Sequence, residues 1–454
     1  MKRAAEWLDE HGGFVTIAKE ELVKPMAPGI GWAHSLGNLT FMFLIVQITT
    51  GVALALNYAP TPDHAYASIQ FIRHDVLFGS FLRSIHSYTA SAVVIVVTLH
   101  MLRVIIWGAY KNPRELTWLI GVFLLLLIAG FAFTGYLLPW DQRAYWATTV
   151  GTALARSVPL VGGIAMRLLR GGGNVGAMTL MRFYTAHTML FPALLVPFVG
   201  LHLFLVRKMG SAGTWKPHHG KGDAFFPKQA FRDIMVAVGA FSVVIALAIL
   251  KPVGLAARAD PTNASFVPRP EWYFLSLYQG LKYLPGSLEV VGVVVIPAVL
   301  GLALLLLPWL DRGPERDPRR RVRVLAPTGA VLLVVVVLTG IALTSEQQSL
   351  ASGASGAAAA LPKAAPGLSA QALAGLKVYA AQNCSGCHSI GGKGGQVGPA
   401  LDAVGSRETE AWLESQVANP TGHNPKTTMP AFKLSASDLK SLGTYLATLK
   451  GASK

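Results

Sequence analysis

Four histidines lie inside apolar segments as two matched pairs, His86 with His100 and His187 with His202. On an α-helix a step of 14 residues falls close to four turns, and one of 15 overshoots by only about 60°, so each pair lines one helix face with its members roughly 21 to 22 Å apart. That separation suits two haems stacked across a bilayer. Ionisable groups in lipid are costly, and they persist where they face the bundle interior and mark a functional path. A lone histidine in such a place is more often a hydrogen-bonded core residue, but two pairs at nearly equal spacing favour ligands.

Glycines repeat the step: Gly37 and Gly51 in one apolar segment, Gly121 and Gly135 in another. Each pair shares a face, and a missing side chain leaves room for a flat macrocycle; close packing of small residues between helices is the alternative. Arg83 and Arg103 each stand three residues from a ligand histidine, placed to pair with haem propionates or to set topology.

The two cysteines of the chain sit in Cys384-Ser-Gly-Cys387-His388, the signature of covalent c-type haem attachment. The two thiols capture the haem vinyl groups and the adjoining imidazole reaches the iron. A bare C-x-x-C also serves redox and zinc sites, but the immediate histidine and the lack of further cysteines argue against both. Met429, the only methionine of the C-terminal region, is the expected sixth ligand, with His423 the alternative. His/Met ligation raises a haem's potential, as an electron acceptor requires.

The elements that carry these groups follow from composition. With 52% hydrophobic and 14% charged residues in 454, the chain is too apolar for a soluble globular protein. Seven stretches are long enough to span a membrane, approximately 36–57, 80–107, 116–138, 184–206, 233–250, 289–310 and 323–344. The first follows a polar, partly amphipathic region, so no cleavable signal peptide is expected. A net charge of +16 would suit nucleic acid, but the basic residues cluster beside apolar stretches, notably Arg207 to Arg232 and Arg312 to Arg323. They read as cytoplasmic topology signals, with membrane lipids and not nucleic acid as the surroundings.

After the seventh span, residues 346–369 are rich in Ala, Ser and Gly and read as a flexible linker. Residues 370–454 are polar, with helical patterns near Gln371–Gln382, Glu408–Ala418 and Ala436–Leu449. This region resembles a class I cytochrome c, with Gly398-Pro399 where small c-type cytochromes set a proline against the proximal histidine. Such haem is attached outside the bacterial cytoplasm, so the resemblance implies a periplasmic C-terminus. An odd number of spans agrees, placing the N-terminus, with Lys2, Arg3, Lys19 and Lys24, in the cytoplasm. The 139–182 loop dissents, carrying Arg143, Arg156, Arg167, Arg170 and Arg182.

Residues 1–345 resemble cytochrome b of the Rieske/cytochrome b complexes. The resemblance rests on Arg83-Ser-Ile-His86, Leu99-His100-Met-Leu-Arg103, Lys111-Asn-Pro-Arg-Glu-Leu-Thr-Trp118, Thr134-Gly-Tyr-Leu-Leu-Pro-Trp-Asp-Gln142, Arg182-Phe-Tyr-Thr-Ala-His187 and Pro270-Glu-Trp-Tyr273. The 15-residue gap between His187 and His202, and the end after a seventh span, are similar to the chloroplast and cyanobacterial branch with its two membrane subunits fused; the mitochondrial branch uses 14 in both helices and an eighth span. That photosynthetic branch attaches an extra haem to a cysteine in the first span, where this chain has Ser35, which excludes covalent attachment there.

The expected fold is therefore all-α: a seven-span transmembrane bundle with a four-helix dihaem core over 1–210 and three helices over 211–345, the linker, and a cytochrome c domain over 370–454. The resemblance implies that His86 pairs with His187 around the haem nearer the periplasm, and His100 with His202 around the other. It implies a quinol:cytochrome c oxidoreductase, in which one electron from quinol goes to a mobile Rieske cluster and the other crosses two non-covalent b haems to a second quinone site. The covalent c haem is then the high-potential acceptor, passing electrons to a soluble cytochrome c or another periplasmic acceptor. Glu271 is the expected proton acceptor, with Tyr136, Trp140 and Tyr273 walling the quinol pocket. Arg207 is expected to hold a cytoplasmic-side quinone or a propionate, with Lys208 and Glu20 as further candidates. A Rieske cluster needs two cysteines and two histidines of its own, so it must belong to a separate subunit, and the complex is expected to be a homodimer. The rival reading is a haem-bearing membrane anchor for a dehydrogenase, which needs the histidines but not the Pro-Glu-Trp-Tyr motif.

Overall fold

The structure, a computed structural model, describes the chain apart from residues 1, 217–221, 262–265, 267–268, 285, 357–367, 383, 387, 392, 395–397, 424–426, 428, 430, 433 and 452–454. It is almost entirely helical. Among the described residues seven helices are long and apolar enough to cross a membrane, here numbered as spans one to seven: Trp32–Ala55, Gly79–Ile106, Glu115–Leu137, Ala177–Met209, Phe225–Leu250, Val291–Leu310 and Val322–Ser345. Lipid offers no partner for backbone N–H and C=O, so each segment satisfies them internally as a helix. Hydroxyls within the spans do the same, Thr40 and Thr98 donating to carbonyls one turn back at 2.9 and 2.7 Å.

The chain divides into two compact units, Met1–Ala257 with Pro270–Leu338, and Arg258–Arg269 with Thr339–Lys454. In the first, spans one, two and five share a core of Leu39, Phe43, Val93, Val97, Ala237 and Val244. Spans three and four interlock through Ile120, Leu124, Leu127, Leu195 and Leu205.

Three boundaries differ from expectation. Span four begins at Ala177 and span five at Phe225, because Arg182 in one and Lys228, Gln229 and Arg232 in the other hide helix behind polar side chains. The helix of span seven runs on to Gly356, into the segment read as linker; Glu346, Gln347, Gln348 and Leu350 are good helix formers whatever their polarity. Span four also departs from α-helix over Ala186–Leu190, a π-helical turn in which the Phe191 N–H bonds to the Ala186 carbonyl. Pro192 follows and brings no N–H of its own. A π-turn takes up one extra residue, and this absorbs the overshoot of the 15-residue step from His187 to His202.

In the second unit, helices Ala370–Ala381, Glu410–Ala418 and Ala436–Ala447 enclose Leu376, Tyr379, Leu413, Val417, Leu442 and Tyr445. Ser369, Thr409 and Ser435 cap them, each side-chain oxygen accepting from an N–H of the first turn. The first and last cross so closely that a Cβ on Gly375 would lie 1.9 Å from the Ser441 carbonyl oxygen.

A buried ionic cluster ties the loop after span two to the ends of spans six and seven. Asp311 takes Lys111 Nζ at 3.0 Å and Arg321 Nη2 at 2.7 Å, and Tyr110 donates its hydroxyl to the same carboxylate at 2.5 Å. Burial alone would push the Asp311 carboxyl up, but the hydrogen bonds from Tyr110, Lys111 and Arg321, with the Arg321 charge, bring it below its ordinary value. A depressed carboxyl stabilises the fold above the unfolded pKa of about 3.9, and that stability is lost as pH falls through the folded value. Asp311→Asn leaves two cations uncompensated and is expected to cost about 3–5 kcal/mol, seen as a lowered thermal midpoint of the purified protein in detergent; an unchanged midpoint would show that the cluster contributes nothing net.

Candidate functional site

The His86 and His187 rings face each other with centroids 6.3 Å apart and planes at 69°. Their protonation follows from their neighbours. Thr50 Oγ1 donates to the Val46 carbonyl at 2.6 Å, so toward His86 Nδ1, 2.9 Å away, it accepts. His187 Nδ1 lies 3.1 Å from the Phe131 carbonyl, which only accepts, and 3.3 Å from Thr134 Oγ1. Both rings thus carry hydrogen on Nδ1, which leaves the lone pair on Nε2, as in imidazoles that bind metal through that atom.

Each of the four histidines packs on one of the four glycines. A Cβ would meet the imidazole at 3.3 Å for Gly51 on His86, 2.5 Å for Gly135 on His187, 3.0 Å for Gly37 on His100 and 3.4 Å for Gly121 on His202. Since Gly37 and Gly51 share one face of span one, and Gly121 and Gly135 one face of span three, the histidines form two levels. The room is filled by the imidazoles themselves. Thr50-Gly51 and Thr134-Gly135 are a repeated dipeptide that marks one level in the sequence, a signal the spacing of histidines and glycines alone did not exploit.

The two arginines behave differently. Arg103 Nη2 lies 3.5 Å from His100 Nδ1, its guanidinium covers the Trp107 ring, and its Nε is buried with no hydrogen-bond partner among the described residues. Arg83 instead donates to the carbonyls of Val253 and Gly254, at 2.7 and 3.0 Å, holding the segment after span five.

Beyond span three, Asp141 caps the helix Gln142–Leu154 through Ala144 N and also accepts from Ala256 N. Glu271 opens a short turn, Trp272–Phe274, which Trp272 Nε1 pins to Ser91 Oγ of span two at 3.3 Å. Burial pushes the Glu271 carboxyl up; the Trp272 N–H and the Arg143 charge oppose this, and the Asp141 charge adds to it. Burial, then the neighbouring Glu271 charge, pushes the Tyr273 phenol up. Tyr136 lies within electrostatic reach of both. Tyr273 and Phe274 close an apolar cleft of about 120 Å³ whose other walls are Val94 and Val97 of span two and Leu125, Ile128, Ala129 and Ala132 of span three. Trp140 is buried edge-on against Tyr145 and does not line that cleft.

At the other end, the Arg207 guanidinium lies 5.3 Å from the Phe225 ring centroid, and the Lys208 ammonium 5.8 Å from that of Phe204. Glu20 is exposed on the helix Phe14–Val23. Ser35 is fully buried, accepting from Gln229 Nε2 at 3.1 Å, which also donates to Asp233 at 2.7 Å.

In the C-terminal region His388 Nδ1 donates to the Pro399 carbonyl at 2.8 Å, and a Cβ on Gly398 would lie 2.4 Å from the His388 ring. Cys384 begins a short turn, Cys384–Gly386; Cys387 lies outside the described residues. Met429 packs half-buried against the core of this unit. His423, the alternative ligand, is engaged elsewhere, with Nε2 3.0 Å from Ser415 Oγ and its ring against Trp412.

Comparisons with known proteins bear on this arrangement. Residues 22–210 match the family described as Cytochrome b/b6/petB, 258–360 that described as Cytochrome b(C-terminal)/b6/petD, and 372–450 Cytochrome c. Cytochrome b6 of Chlamydomonas reinhardtii is 41% identical over 213 residues, which is 47% of this chain and 99% of that protein. The chain belongs to the cytochrome b/b6 family. Cytochrome b6 of Synechococcus elongatus is 40% identical over the same length and the same shares. A chain of a solved hyperthermophilic respiratory Complex III is 29% identical, with a TM-score of 0.68 over 75% of this chain and 91% of its own.

As a cytochrome b/b6 with a cytochrome c region, the chain is an electron-transport subunit of the quinol–cytochrome c reductases, carrying b-type haem in the membrane and covalent haem in its C-terminal part. Its residues fit those groups. Two imidazole nitrogens each about 2 Å from one metal, with the ring radii added, reproduce the separation of His86 and His187, and the orphaned Nε of Arg103 fits an anionic neighbour. Gly135→Leu would drive a side chain into the His187 ring; the expected result is loss of about half the b-type signal in reduced-minus-oxidised spectra, while the c-type signal stays. An undiminished b-type signal would refute the role given to that glycine.

Proposed function

We propose that this cytochrome b/b6 chain oxidises quinol at the periplasmic face of a bacterial inner membrane, in a homodimeric complex with a separate Rieske protein. The observation that carries the reading is Glu271, a half-buried carboxyl with its pKa raised, two residues from Tyr273 on an apolar cleft. The cleft suits a quinol ring by its apolar lining. Glu271 takes the proton from a quinol hydroxyl, a task for which a carboxyl raised toward the working pH is suited. Tyr136 and Tyr273 stand beside it and restrict water.

His86 with His187, and His100 with His202, would hold the b haems; Cys384, Cys387, His388 and Met429 the c haem. When bound, these groups supply one-electron carriers. Thr50, Thr134 and the Phe131 carbonyl keep one ligand pair in the right tautomer. Arg103 neutralises a propionate, and Arg207 serves the cytoplasmic quinone. Both cysteines fall in the c-type motif, which is why the iron–sulfur centre is assigned to another polypeptide, and electrons leave toward a soluble cytochrome c or similar acceptor.

Glu271→Gln is expected to slow quinol-dependent cytochrome c reduction by about 10²-fold or more with haem spectra unchanged; an unaltered rate would exclude it as proton acceptor. The pH profile adds a sign. A protonated carboxyl cannot accept, so activity rises with pH through a pKa above the ordinary glutamate value of about 4.3, and that limb should flatten in the variant.

A further inference from the structure

Gln416, on the helix Glu410–Ala418, directs its side-chain amide at the Met429 sulfur, Nε2 donating to Sδ at 3.6 Å. Gln416 is half-buried beside the core residue Val417. Met429 is half-buried against the same core, and its backbone N–H donates to Thr427 Oγ1 at 3.1 Å, so the backbone is held locally while Gln416 meets the thioether. A thioether is a weak acceptor. An amide aimed at it from a neighbouring helix, across 13 residues of chain, is therefore a feature of the methionine's own site.

We propose that Gln416 is a positioning residue for the sixth haem ligand, fixing the Met429 thioether and drawing electron density from its sulfur. This rests on Met429 as ligand, the reading given above. Hydrogen bonds to a ligand tune the metal behind it. A donor on the sulfur weakens its donation most for the ferric iron, which draws most on ligand charge, and so favours the reduced state. The potential rises, the direction an electron acceptor needs.

The test uses the intact purified complex, with the c-haem midpoint potential read by spectroelectrochemical titration and the ferric sulfur-to-iron charge-transfer band as reporter of the ligand. Gln416→Leu is expected to lower the midpoint with the band retained at shifted energy, while the b-haem potentials stay fixed. Gln416→Asn, which withdraws the amide by one methylene, is expected to move the midpoint the same way by less. An unchanged midpoint in either variant, or an equal shift of the b haems, overturns the proposal. Absence of the band in the unsubstituted protein overturns the Met429 assignment itself.

Discussion

Two imidazoles held 6.3 Å apart in an apolar bundle impose a register that the surrounding helices have to meet. Span two and span four approach from opposite sides, and spans one and three each offer the imidazoles a face without side chains. A single methyl at Gly135, Gly37 or Gly51 would press on a ring, and one at Gly121 would touch it. The aliphatic packing of the bundle is tolerant by comparison, since Leu, Ile and Val of similar volume interchange at modest cost. Register is thus set by a handful of contacts, and the bulk of the apolar surface only follows.

Polar groups inside this bundle are managed in two ways. Near the histidines, threonine hydroxyls donate to their own helix and so have only acceptor capacity left for an imidazole; the backbone need and the tautomer are settled by one atom. At the end of span two, charge is buried outright, with Lys111, Arg321 and Tyr110 converging on Asp311. The first device costs little and orients a ligand. The second is expensive to desolvate, and it fixes where the ends of spans six and seven meet spans two and three.

The histidines, the c-type motif and the apolar stretches were legible because each is a periodicity or a short chemical pattern. Span beginnings were not, because hydropathy falsely ends a helix where Arg182 or Lys228 projects from it. The helix continuing past Ser345 was missed for the opposite reason: composition resembled a linker, while Glu, Gln and Leu there keep good helix propensity. Partners distant in sequence, such as Asp311 for Lys111 or the Val253 carbonyl for Arg83, have no local signature. Tyr273 borders the cleft, whereas Trp140, whose backbone adopts φ 50° before the helix Gln142–Leu154, packs edge-on against Tyr145.

The π-turn at Ala186–Leu190 works as a local phase corrector. It separates the count of residues between two histidines from the distance between them, so 14- and 15-residue versions of this helix can present the same two levels. One inserted residue is absorbed within a single turn, whereas two would rotate the second histidine away from its face. A one-residue difference in this helix therefore need not change the separation of its two histidine levels.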